Sequence, residues 1–152
     1  MAEPRIVIEH LTGSRRGQRQ EFAHDSDVRF GRHPDSDVHF HAHRDMDASS
    51  RHAVLAFEDG HYVLRDVGSS NGTYVDDELV TRVPLELGDA RVVEFGAGGP
   101  RVRVFVGDPT AIPPLPVLED DERGMTPGYL LALAGIVAGI VVVAVIAWFA
   151  LV

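Results

Sequence analysis

Residues 49–75 read SSRHAVLAFEDGHYVLRDVGSSNGTYV, and this stretch decides the fold. Ala53–Glu58 and His61–Arg65 are short apolar-rich runs parted by the turn pair Asp59-Gly60. Thr73–Val75 follows a second turn pair, Asn71-Gly72, whose residues both tolerate positive φ. The spacing predicts three strands joined by turns. The same texture extends outward in both directions. Upstream lie Arg5–Leu11, Glu21–Ala23, Val28–Gly31 and Val38–His41; downstream lie Leu79–Val80, Arg91–Phe95 and Val102–Val106. Glycine-bearing breaks at Gly13–Gly17, Gly88-Asp89 and Gly96–Pro100 separate them. Ile6 and Ile8 alternate with Val7 and Glu9, the two-residue period of a strand. Many short strands with glycine-rich turns, and no amphipathic helical period, predict one all-β domain over residues 1–107, a sandwich or barrel.

Composition narrows the function. The chain has 152 residues, a net charge of −9 and no cysteine, which removes disulfides, thiolate catalysis and cysteine-ligated metals. All 14 positive charges are arginine, which reads as the codon bias of a GC-rich, bacterial genome. An acidic chain with pI near 5.2 lacks the basic field that DNA or RNA binding requires, so no nucleic-acid partner is expected.

The C-terminal part differs. Tyr129–Val152 is 24 residues, YLLALAGIVAGIVVVAVIAWFALV, without a charge. At about 1.5 Å per residue it is long enough to cross a bilayer core about 30 Å thick. A single transmembrane helix is expected over 129–152. Residues 108–128 hold five prolines and the acidic cluster Glu119–Glu122, and are expected to form a Pro-rich acidic linker. Arg123 is a weak positive-inside signal. The expected location is the inner cell membrane, single-pass, with the β-domain in the cytoplasm. Gly135 and Gly139 have the small-residue spacing that lets two such helices pair as a homo-oligomer.

Three short groups carry the chemistry: Phe30-Gly31-Arg32, Ser49-Ser50-Arg51-His52-Ala53 and Asp66-Val67-Gly68-Ser69-Ser70-Asn71-Gly72-Thr73. Each flanks a predicted strand and offers hydrogen-bond donors: a guanidinium, hydroxyls and a carboxamide. None offers a thiol or a carboxylate pair set for acid–base work. Loops on a rigid sandwich are where binding residues collect. An arginine beside hydroxyls suits a phosphate dianion.

Together, in this order, the G-R, S-x-x-H and S-x-N-G-T groups resemble the forkhead-associated (FHA) domain, over about residues 5–107. Asp37-Val38 after Gly31-Arg32 adds to the likeness. The resemblance implies an eleven-stranded β-sandwich whose loops at one end bind phosphothreonine peptides. It implies that Arg32 and Ser49 grip the phosphate and that Ser50 adds a further donor. Ser70 would line the site near the threonine methyl, and Asn71 would bond the peptide main chain. Gly31, His52 and Gly72 match structural residues of the family.

Other readings compete at the same residues. Arg32 has Asp35 and Asp37 nearby as salt-bridge partners. A hydrolase built from Ser49, His52 and Asp66 lacks a G-x-S-x-G elbow. His39, His41 and His43 alternate, so on a strand they share a face and, with His33, offer metal ligands. A solvated edge explains them more simply, and neither a metal nor a cofactor is expected. The expected function is therefore non-enzymatic. The domain captures a threonine-phosphorylated protein, downstream of a Ser/Thr protein kinase, as a membrane-tethered signalling adaptor. The alternative is a phospho-independent structural component of a membrane assembly such as secretion machinery.

Overall fold

A computed structural model describes residues 3–115. The expected transmembrane helix 129–152, with Gly135 and Gly139, and the linker beyond Leu115 lie outside the described residues. Among the described residues no helix is long and apolar enough to cross a membrane.

Eleven strands form among the described residues. In chain order they are β1 (Arg5–His10), β2 (Arg19–Ala23), β3 (Val28–Gly31), β4 (Val38–His39), β5 (Ala53–Glu58), β6 (His61–Asp66), β7 (Thr73–Val75), β8 (Glu78–Val80), β9 (Arg82–Leu85), β10 (Ala90–Phe95) and β11 (Arg101–Gly107). They make a six-stranded sheet, β2-β1-β11-β10-β7-β8, and a five-stranded sheet, β4-β3-β5-β6-β9. The core between them is built from alternating positions. In β3, Val28 and Phe30 are buried while Arg29 is exposed, as a half-buried strand demands. Ile6, Ile8, Leu55, Leu64, Val93 and Val104 complete the centre.

Two elements depart from the sequence pattern. Arg82–Leu85 is a strand although it carries Pro84, which discourages that reading. β9 lies at the sheet edge with Pro84 opposite Val63, so its missing N–H is needed only where no further strand waits. The run Val38–His41 is a strand for two residues only. It pairs in parallel with β3, Phe30 opposite Val38 and Gly31 opposite His39. Phe40 then turns into the core, its N–H donating to the Gly31 carbonyl at 2.9 Å. His41 and His43 therefore sit on a turn and share no strand face with His39.

After β11 the chain makes a short 3-10 turn, Pro109–Ala111, capped by the Asp108 carboxylate accepting from the Thr110 N–H. Arg103 Nη1 donates to the Pro113 carbonyl at 2.9 Å. The first compact unit runs to Pro113.

Candidate functional site

Three connections meet: residues 32–37 after β3, 40–52 before β5, and 67–72 between β6 and β7. Arg32 joins the first to the second. Its Nε donates to the Ala48 carbonyl at 2.6 Å and its Nη1 to the Ala42 carbonyl at 2.9 Å. Its own N–H donates to the Ser49 carbonyl at 3.1 Å. Neither neighbouring carboxylate pairs with it: Asp37 pairs with Arg29 at 3.0 Å, and exposed Asp35 lies beside His33, whose Nδ1 accepts the Asp35 N–H at 3.2 Å. Arg32 thus makes neither of the salt bridges that the sequence left open. Of five guanidinium N–H donors, two are spent on carbonyls and none on a carboxylate, among the described residues.

Ser49 joins the second connection to the third. Its Oγ accepts from the Ser70 N–H at 2.9 Å. Asn71 crosses the same gap, its Nδ2 donating to the Asp47 carbonyl at 3.0 Å. Ser50, Ser70 and Asn71 are exposed, and Arg32 and Ser49 half-buried. Hydrogen bonds thus join the connections that carry Arg32, Ser49, Ser70 and Asn71, and exposed Ser50 follows Ser49 in the second of them.

His52 is fully buried beneath them. Its Nδ1 accepts from the Ser49 N–H at 2.9 Å, so the opposite nitrogen carries the proton and donates to the Gly72 carbonyl at 2.9 Å. Its ring meets Phe95 edge-on, centroids 5.2 Å apart, and Phe95 stacks on Phe30 at 5.0 Å. Burial lowers the His52 pKa below 6.5 and outweighs the raising effect of the Gly72 bond, which keeps the imidazole neutral. This wiring leaves no hydrolase triad: Ser49 meets His52 through its main chain, and Asp66 bonds Ser69 and Thr73.

Gly31 is glycine because of a close approach. A Cβ there would lie 2.2 Å from the Ser50 carbonyl oxygen. Gly72 sits at φ +84, and a Cβ would meet Leu79 Cδ1 at 2.6 Å.

Several supports escaped the sequence reading. Asp66 organises the third connection. Its Oδ1 accepts from the N–H groups of Gly68 and Ser69 at 2.8 Å each, and its Oδ2 from the Thr73 hydroxyl at 2.7 Å. Burial raises its pKa, but these bonds together prevail and lower it to about 2. The sequence signal was present, since Asp followed by Gly and Ser is an Asx-turn pattern. Buried Asp45 ties the second connection to the β1–β2 loop, accepting from the Ser14 N–H at 3.0 Å and the His41 N–H at 2.8 Å. Its partner Ser14 is 31 residues away, beyond any local pattern. Among the described residues, no group of three His, Asp or Glu side chains is placed to hold a metal.

Comparison with known proteins bears on the family and the fold. The FHA domain model matches residues 28–96. Glycogen accumulation regulator GarA of Mycolicibacterium smegmatis is 48% identical over 59 residues, 39% of this chain and 35% of GarA. The chain spans 25% and 35% of the lengths of curated relatives that it matches. The crystal structure of FHA-1 of Rv1747 from Mycobacterium tuberculosis superposes with a TM-score of 0.55 at 30% identity, covering 70% of this chain and 100% of that one. A structure from a structural and functional analysis of phosphothreonine-dependent FHA domain interactions shares the fold, with a TM-score of 0.51 at 22% identity over 68% of this chain and 96% of that one.

Proposed function

This chain belongs to the FHA family, and on that premise we propose that it captures a threonine-phosphorylated protein on the surface formed by Arg32, Ser49, Ser50, Ser70 and Asn71. The state of Arg32 carries the reading. Its guanidinium is braced by two main-chain carbonyls and opposed by no carboxylate, among the described residues. A phosphothreonine brings about −1.5 to −2 charges and three acceptor oxygens to such a cation. Ser49 Oγ has accepted one bond and keeps its hydrogen for the phosphate. Asn71 keeps its carbonyl oxygen and one amide hydrogen for a peptide main chain.

Three or four charge-assisted bonds of roughly 1.5–3 kcal/mol each, less the ordering of a peptide, give a Kd of about micromolar order. Recognition is local, because thirteen arginines face nineteen acids up to Asp108 and long-range steering of an anion is poor. In the same proposal a Ser/Thr kinase acts upstream, and the chain is an adaptor rather than an enzyme. The apolar run 129–152 tethers it, single-pass, to the inner membrane with the FHA domain in the cytoplasm, and Gly135 and Gly139 pair two copies.

The test is capture by the full chain from a degenerate phosphothreonine peptide library, against the unphosphorylated library. Retention of phosphorylated peptides alone, lost in Arg32→Ala, supports the reading. Equal retention of both libraries favours the phospho-independent assembly role.

A further inference from the structure

The sequence holds one asparagine, Asn71, and a glycine follows it. Asn-Gly is the dipeptide most prone to spontaneous deamidation, because glycine has no side chain to shield its nitrogen. The Gly72 nitrogen loses its proton and attacks Cγ of Asn71, ammonia leaves, and the succinimide takes up water to give aspartate or isoaspartate. Two bonds of the folded chain oppose this. The departing nitrogen, Nδ2 of Asn71, donates to the Asp47 carbonyl at 3.0 Å. The attacking nitrogen, that of Gly72, donates its hydrogen to Oγ of Ser69 at 3.0 Å.

The Ser69 hydroxyl is itself oriented. Its hydrogen goes to Oδ2 of Asp66, which leaves its oxygen lone pairs for Gly72. The Gly72 carbonyl accepts from buried His52 and from the Gly96 N–H, at 2.9 Å each. Gly72 is thus fastened at both its nitrogen and its carbonyl. The turn pair Asp59-Gly60 shows the opposite state. Both residues are exposed, with φ of 49 and 81. Neither the Asp59 carboxylate nor the Gly60 N–H makes a hydrogen bond among the described residues.

We propose that Asn71-Gly72 is a deamidation site that the fold keeps closed, with the Ser69 hydroxyl as its latch. Reaction proceeds only from states in which the third connection has opened locally and freed both nitrogens. The product puts a carboxylate on the surface proposed for a phosphate dianion, and like charges repel there. Isoaspartate also adds a methylene to the main chain ahead of Gly72. The covalent chemistry does not depend on the phosphothreonine reading.

The test sets the same dipeptide in both states within one molecule. Asp59→Asn makes position 59 a second Asn-Gly pair, in an exposed turn that asparagine's tolerance of positive φ suits. The full chain with this change is held in mildly alkaline buffer, and peptide mapping by mass spectrometry follows conversion of amide to acid at positions 59 and 71. In the folded chain position 71 should convert at least about tenfold more slowly than position 59, and the two rates should converge in urea. Adding Ser69→Ala should speed position 71 about tenfold and leave position 59 unchanged, while Ser69→Thr, which keeps a hydroxyl, should restore slow conversion. Val104→Ala lowers global stability from the core of β11, away from the latch, and should leave position 71 slow. Equal rates at the two positions in the folded chain overturn the proposal. So does a position 71 that ignores Ser69→Ala, or one that Val104→Ala speeds as much as Ser69→Ala does.

Discussion

The main-chain N–H of Ser49 donates to Nδ1 of His52 across 2.9 Å. With the other ring nitrogen bonded to the Gly72 carbonyl, one neutral imidazole fastens two of the binding connections to the core at Phe95. Replacing it with alanine removes both bonds and leaves a cavity. His52→Ala should therefore cost about 3 kcal/mol of stability. Denaturant titration measures this, and a loss under about 0.5 kcal/mol would contradict the bracing role.

Acid should act through the same ring. Burial, the largest cause, holds both His52 and His10 below 6.5, against the raising bonds of Gly72 and Gln20. The folded state then binds fewer protons than the unfolded chain below that pH. Stability is fully present above about 6.5 and falls as pH drops from there toward the folded values. Thermal unfolding between about pH 7.5 and pH 5.5 should show a declining Tm, and a flat profile would refute the assignment.

Gly31→Ala should move the loop that carries Ser49 and Ser50. The added Cβ lies 2.2 Å from the Ser50 carbonyl oxygen, which is backbone and cannot rotate away. A cost of about 1–3 kcal/mol in stability is expected, with weaker phosphopeptide binding in calorimetry. Binding and stability equal to the parent would show that the loop yields freely.

Arg32→Lys should bind phosphopeptide about as poorly as Arg32→Ala, each losing about tenfold. A lysine has no fork to span the Ala48 and Ala42 carbonyls while presenting donors to a phosphate. Full rescue by lysine would mean that charge alone suffices. In the same calorimetric series phosphoserine should bind about fourfold more weakly than phosphothreonine, the worth of about 0.8 kcal/mol for one buried methyl.

Asp66→Asn should lose on the order of 2 kcal/mol near neutral pH, since the bonded carboxylate is held at about 2 against 3.8 unfolded. The contribution is present above the unfolded value and is lost as pH falls through the folded one. The parent and variant stabilities should therefore converge in strong acid, and a constant gap would place the effect elsewhere.

Much of this was legible in residue order. The strands follow from two-residue alternation and from Asp59-Gly60 and Asn71-Gly72, all of which act over a few residues. Arg32, Ser49 and Asn71 were visible because short loop motifs keep their spacing wherever the chain goes. Asp66 was visible in principle, since its partners lie within seven positions.

Contacts between distant positions required the folded chain. Pro84 becomes acceptable in β9 because that strand lies at an edge, a fact of sheet order. β4 ends at His39 because Phe40 enters the core, so the histidine alternation never becomes a shared face. Asp37 chooses Arg29 over Arg32, and two alanine carbonyls take the place of a carboxylate beside Arg32. Local periodicity determined which residues extend and which turn. Register and loop path, which depend on what packs across the sandwich, decided which donors remained free.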